Sequence, residues 1–182
     1  MWRLRHPPVC NPAPFPHVVV ALRPPLPTLA ALVAPTLADI RAAADCLTGL
    51  AHRTPVLTSA SLDALTGATL FFKCENFQKG GAYKFRGALN AVRRLTDEQA
   101  RPGVVTHSSG NHATCLALAA QQRGIPAYIV VPRNAPLIKQ RAIAAYGGQL
   151  TLCEPTLAAR WMRSASAWRA ARVGSQSVSW PP

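Results

Sequence analysis

Acidic residues are scarce in this chain, and they are confined. Against twenty Lys and Arg there are seven Asp and Glu in 182 residues, giving a formal net charge of +13. All seven acids fall between Asp39 and Glu154, so both ends are acid-free. Residues 1–35 carry Arg3, Arg5 and Arg23, and residues 157–182 carry Arg160, Arg163, Arg169 and Arg172. A total of +13 invites a nucleic-acid reading, but more than half of it sits in these two ends, and no nucleic-acid partner is expected. Long apolar runs are lacking as well. None approaches the roughly eighteen residues of a membrane span, and no membrane partner is expected. Val18–Leu22 and Leu29–Ala34 are split by Arg23 and prolines, which excludes the continuous apolar stretch of a signal peptide. The five cysteines, Cys10, Cys46, Cys74, Cys115 and Cys153, form no CxxC pair. An odd, widely spaced set argues against a zinc site or a disulfide framework and for reduced thiols in a cytoplasmic protein. The phosphate-binding pattern GxxxxGK[ST] is absent.

The two ends are foreign in other respects. Nine of the seventeen prolines precede residue 36, so residues 1–35 read as a basic, Pro-rich, disordered extension; the absence of acids also fits an organelle transit peptide, although proline spoils the amphipathic helix one needs. All four tryptophans, Trp2, Trp161, Trp168 and Trp180, lie in the ends. Residues 156–182 read as a divergent basic tail, disordered or a frayed helix. Leu157–Val173 has helical character, with Arg160 and Arg163 on one face and Trp161 and Trp168 on another. That pattern also suits a module binding nucleic acid or membrane, the alternative to an enzyme.

Residues 36–155 are regular. Thr36 with Asp39 predicts a helix cap, followed by an apolar stripe of Ile40, Ala43, Ala44 and Leu47. Thr69–Cys74 has strand character, Ala82–Leu95 reads as a helix with Phe85, Leu89 and Val92 on one face, and Gly103–His107 reads as a strand. A helix over Asn111–Arg123, a strand over Ala127–Val131, a helix over Pro136–Tyr146 and a strand over Gln149–Cys153 complete the series. This alternation predicts an α/β fold, an open parallel sheet with crossover helices. In such folds ligands gather where strands end and helices begin.

Two of those turns carry chemistry. The first runs from Lys79 through Gly80, Gly81, Tyr83 and Lys84 to Arg86. Lys84, one turn inside a helix, fits a phosphate clamp, a Schiff-base nucleophile or a solvated charge. For a nucleophile, burial or the nearby cations Lys79 and Arg86 would ease loss of its proton. Tyr83 fits a stacking partner for a planar ring or a half-buried aromatic. The second turn gathers Ser108, Ser109, Asn111 and His112. It fits a capping loop, in which Ser109 or Asn111 satisfies the first helix amides, or a cradle for a carboxylate. Nothing supplies His112 with a carboxylate partner for a nucleophilic triad.

The stretch from Glu75 to Gly87, ENFQKGGAYKFRG, together with SSGNHA, GIPAYIVVPRNAP and AYGGQL, resembles the serine/threonine dehydratase and serine racemase family. These are fold-type II pyridoxal 5′-phosphate enzymes, and the resemblance covers residues 36–155. It implies that Lys84 carries the cofactor as an internal aldimine, with Tyr83 beside the ring and Asn111 on the ring hydroxyl. Ser108, Ser109, Asn111 and His112 would hold the substrate carboxylate. Lys84 and Ser109 would face opposite sides of the substrate α-carbon, as racemisation requires, and loss of a β-hydroxyl would give dehydration at the same site. The implied substrate is serine, or threonine. In the family the full-length subunits form homodimers, and the animal racemases bind a nucleotide at positions matching Lys79, Asn111, Lys139 and Tyr146. Gly80 and Thr114 depart from that pattern. The resemblance also implies a large domain with a glycine-rich phosphate cup and a carboxylate metal site. No tetraglycine run follows residue 155, so the divalent-metal and nucleotide sites are expected to be incomplete and no metal ligand is assigned. The abrupt change to an acid-free tail is what a splice read-through or a frame error would produce. The expectation is a truncated chain, weakly active or inactive, or a non-catalytic fragment that modulates intact subunits.

Overall fold

The structure, a computed structural model, describes residues 34–174. All but the last two residues of the Pro-rich extension lie outside the described residues. Helix α1 (Leu37–Leu47) starts at the expected cap, where the Asp39 amide donates to Thr36 Oγ1 at 3.2 Å and the Thr36 amide donates to Asp39 Oδ2 at 2.8 Å. The apolar stripe is only partly used: Leu47 is buried, whereas Ile40 faces outward.

The segment after α1 departs from expectation. Thr69–Cys74 was to be one more strand of the parallel sheet, but only Phe72–Lys73 (β2) is a strand. It pairs antiparallel with β1 (Val56–Leu57), across the short helix α2 (Ala60–Thr66). A short apolar run signals burial without saying against what. Both strands are exposed, and Phe71 and Phe72 project from this small ribbon with little of the described chain over them. The chain leaves β2 through two 3₁₀ turns, Glu75–Phe77 and Lys79–Gly81, and enters α3 (Lys84–Arg94). There Phe85, Ala88, Leu89 and Val92 form the expected buried stripe at helical spacing.

From α4 (Asp97–Ala100) onward the alternation is regular: β3 (Val104–His107), α5 (Asn111–Arg123), β4 (Ala127–Pro132), α6 (Leu137–Ala145), β5 (Gln149–Cys153) and α7 (Leu157–Gly174). The three strands pair in parallel in the order β3-β4-β5, with Val105 opposite Tyr128 and Tyr128 opposite Gln149. The α/β class therefore holds, with one parallel strand fewer than the sequence suggested. Helix α5 is buried from Ala113 through Ala120, between α3 and the sheet. Its run of alanines lets a helix that touches neighbours on several sides fit at close-packed density.

Ile129 and Val131 belong to the core cluster that includes α5 and Ile143 of α6. Val130, equally buried, points to the opposite face. Helix α7 lies against β3, β4 and β5, which covers that second face. The helical character read over Leu157–Val173 is present as α7, but packed on the sheet and not as a disordered or frayed tail. Composition alone marked the segment as foreign, but it carries a half-buried face of Ala159, Ser164, Ala165, Ala167 and Trp168. Its start is fixed by Thr156 Oγ1, which accepts from the Ala159 amide at 3.1 Å.

Candidate active site

Lys84 is the first residue of α3 rather than one turn inside it, and it is exposed. With Tyr83, Gly87, Ala88 and Ala91 on one side, and His112 and Leu116 of α5 on the other, it lines a groove of about 310 Å3. The two turns singled out in the sequence therefore meet through Lys84 and His112. Tyr83 is 63% exposed at the rim. Burial holds His112 below the ordinary histidine range, and the charges of Lys84 and His107 push it the same way. A neutral imidazole thus faces the lysine.

The turn that delivers Lys84 is built from glycines and anchored by amide groups. Gly80 and Gly81 both have φ of 69°, a region costly for other residues. A Cβ on Gly80 would also come within 3.1 Å of Cys115 Sγ. Gln78 is buried, and its side chain pairs with the His52 backbone like a strand partner. The His52 amide donates to Oε1 and Nε2 donates to the His52 carbonyl, each at 2.9 Å. The Lys79 amide shares the same Oε1 at 2.9 Å.

Arg86, expected as a cation beside the lysine, is neutralised by Glu75: Nε donates to Oε2 at 2.9 Å and Nη2 to Oε1 at 2.7 Å. Thr54 Oγ1 also donates to Oε1, at 2.6 Å, and Lys73 Nζ donates to the Thr54 carbonyl at 2.6 Å. The Arg86 hydrogen bonds, aided by Thr54 and by the charges of Arg86 and Lys73 against an opposing effect of burial, bring the Glu75 carboxyl down to about 2. Sequence reasoning missed His52, Thr54, Glu75 and Gln78 as supports. The available signal was an isolated acid, Glu75, among basic residues.

The second turn is open. The N-cap of α5 is Gly110, and no side chain caps the helix, so neither Ser109 nor Asn111 plays the capping part. Ser108 Oγ accepts from the Gly110 amide at 3.3 Å. The Ser109 side chain, half-buried, makes no hydrogen bond among the described residues. Asn111 is exposed, and its Oδ1 accepts from Lys139 Nζ at 2.6 Å. Lys139 and Asn111 are thus together, whereas the Lys79 side chain and Tyr146, which packs on the core, bond to neither among the described residues. Thr114 Oγ1 is buried without a partner among the described residues. His107, at the end of β3, meets Trp161 of α7 edge-on at 4.8 Å and 64°, so α7 reaches the strand end from which this turn leaves. Among the described residues no three His, Cys, Asp or Glu gather where a metal could sit, and no helix is long and apolar enough to cross a membrane.

Comparison with known proteins identifies the family. A serine racemase of Arabidopsis thaliana is 57% identical over 122 residues, which are 67% of this chain and 37% of that protein. A β-hydroxyaspartate dehydratase of Paracoccus denitrificans is 55% identical over 126 residues, 69% of this chain and 40% of that protein. The solved structure of maize serine racemase superposes with a TM-score of 0.71 at 50% identity, covering 73% of this chain and 40% of that one. The chain therefore spans about two fifths of the length of the relatives it matches. The model of the family described as pyridoxal-phosphate dependent enzymes matches residues 47–179, reaching beyond residue 155 and through α7. A lysine at a glycine turn, facing an open helix N-terminus across a groove in an α/β fold, is thus carried by a chain that belongs to the pyridoxal-phosphate dependent enzymes.

Proposed function

We propose that Lys84 is the attachment residue for pyridoxal phosphate and that the chain carries the lysine-bearing part of a serine racemase and dehydratase. The observation that carries this reading is the shared groove, in which Lys84 and Tyr83 face His112. The residues present fit part of the cofactor. An amine stands at the edge of a groove otherwise lined by glycine, alanine, leucine and the His112 imidazole, with an aromatic ring at its rim. The phosphate is less well provided for, because no glycine run in the sequence exceeds two residues.

Bound at Lys84, pyridoxal phosphate supplies an electron sink for a carbanion at the substrate α-carbon. The uncapped first turn of α5, with the Ser108 and Ser109 hydroxyls and the Asn111 side chain, offers donors to a substrate carboxylate. Lys84 Nζ takes the α-proton on one face and keeps it as an ammonium, while Ser109 Oγ donates its own hydroxyl proton from the other face for racemisation, the two groups resetting by exchange with water. Departure of the β-hydroxyl instead gives dehydration. Serine is the proposed substrate, with threonine as its larger analogue. With no glycine run longer than two residues to cradle the phosphate, residues 1–182 are expected to hold the cofactor weakly and to turn serine over slowly.

Reduction with borohydride after incubation with pyridoxal phosphate, followed by peptide mass analysis, tests the assignment. The expected result is a pyridoxyl adduct on Lys84 that Lys84→Ala abolishes. Labelling spread over several lysines, undiminished by Lys84→Ala, would overturn it.

A further inference from the structure

We propose that Gln78 and Arg86 form a positioning staple for Lys84, tying both sides of the Gly80–Gly81 hinge to a single acceptor, the His52 carbonyl. Gln78 lies before the two glycines and Arg86 after them. Gln78 Nε2 donates to that carbonyl at 2.9 Å and Arg86 Nη2 donates to it at 3.0 Å. The two glycines between them have no side chains to restrict their rotation, and such a pair is intrinsically the loosest link in a chain. Its left-handed geometry here is instead enclosed in a ring closed through side chains. The Gly81 amide, donating to the Gln78 carbonyl at 2.8 Å, ties the hinge further from inside.

Downstream, Phe85 is fully buried and fixes the core side of α3. Lys84, between hinge and anchor, takes its position from both. Glu75 sets the guanidinium plane through two bonds, and Thr54 holds Glu75 in turn. The whole assembly serves an exposed residue whose side chain makes no hydrogen bond among the described residues. A plain stability element would not need side chains from both sides of the hinge to converge on one carbonyl. The inference rests on the reading of Lys84 as the attachment residue, but the staple itself can be tested without the cofactor.

The test uses the full chain and the variants Gln78→Leu, Arg86→Lys and Glu75→Asp, with folding checked by circular dichroism. Hydrogen exchange is read peptide by peptide without cofactor, and the rate of borohydride-trapped pyridoxyl label on Lys84 is read with limiting cofactor. Gln78→Leu and Arg86→Lys are expected to speed exchange across Lys79–Lys84 about tenfold or more while α5 amides keep their protection. Trapping on Lys84 should slow about tenfold. Glu75→Asp, which retains the charge, should lie between these variants and the parent chain. Wild-type exchange at Lys79–Lys84 in folded variants would overturn the staple. So would an increase spread evenly over the chain, which marks a contribution to global stability alone. Local exchange as expected with no trapping on Lys84 even in the parent chain would sustain the staple and remove the proposed function instead.

Discussion

The Glu75 carboxylate, before the turn that leads to Lys84, and the Arg86 guanidinium, just after Lys84 in α3, meet fork to fork at 2.7 and 2.9 Å. Arg86, with Thr54 in support, lowers the Glu75 carboxyl from 4.5 to about 2. The unfolded chain therefore takes up this proton at higher pH than the folded one. The stabilisation is complete above about 4.5 and drains away as pH falls towards about 2. Urea unfolding should show Glu75→Gln costing roughly 1–3 kcal/mol at neutral pH, with parent and variant converging towards pH 2. A gap independent of pH would contradict this.

Gly80 and Gly81 share the same φ but not the same surroundings, since a Cβ meets Cys115 Sγ at Gly80 and open space at Gly81. Gly81→Ala should cost about 1 kcal/mol for conformation alone, and Gly80→Ala about 1 kcal/mol more. Adding Cys115→Ala to Gly80→Ala should return the excess, a coupling that a double-mutant cycle in denaturant reads directly.

His112 should titrate below an ordinary histidine, because its charged form is disfavoured by burial and by Lys84 and His107. Lys84→Met should raise the midpoint without restoring it fully, since the burial remains. Imidazole resonances followed by NMR against pH check both. A midpoint insensitive to Lys84→Met would separate the two residues that the groove brings together. His112 also loses its share of folded-state stability as pH falls below the ordinary histidine value, because the unfolded chain then gains the proton first.

The alternation from Gly103 to Cys153 was legible because each helix and strand there is bounded by a glycine or proline and obeys its own periodicity. Phe72–Lys73 was not. Its apolar neighbours read as a buried parallel strand, whereas it forms an exposed antiparallel ribbon. Helix α7 was legible as a helix over Leu157–Val173, but its packing was not, since small residues and arginine resemble a solvated tail until a sheet face is there to be covered. At the candidate site, Lys84 and His112 stood out because each follows a glycine-marked turn, and the structure has both lining one groove. Their supports did not stand out, because the bond between Gln78 and His52 spans 26 positions and no local pattern announces it. The capping part given to Ser109 or Asn111 failed because Gly110 takes the cap position itself.

Leu65, Phe71 and Ile138 are 80%, 71% and 71% exposed, and Phe72 lies beside Phe71. Large apolar side chains left open in this way drive association. Light scattering should show self-association rising with protein concentration, and Phe71→Ser with Phe72→Thr should reduce it without loss of helical signal. Unchanged association in that variant would place the sticky surface elsewhere.

The small side chains between α3 and α5 have a metrical consequence. Helix α3 delivers Lys84 and α5 delivers His112, and the two helices lie directly against each other. The width of the groove is thus gauged by the thickness of small side chains such as Ala88, with almost no slack to take up. Enlarging one of them would push lysine and imidazole apart while leaving both in place on their helices. The residues that set the gap at this site carry no functional group at all.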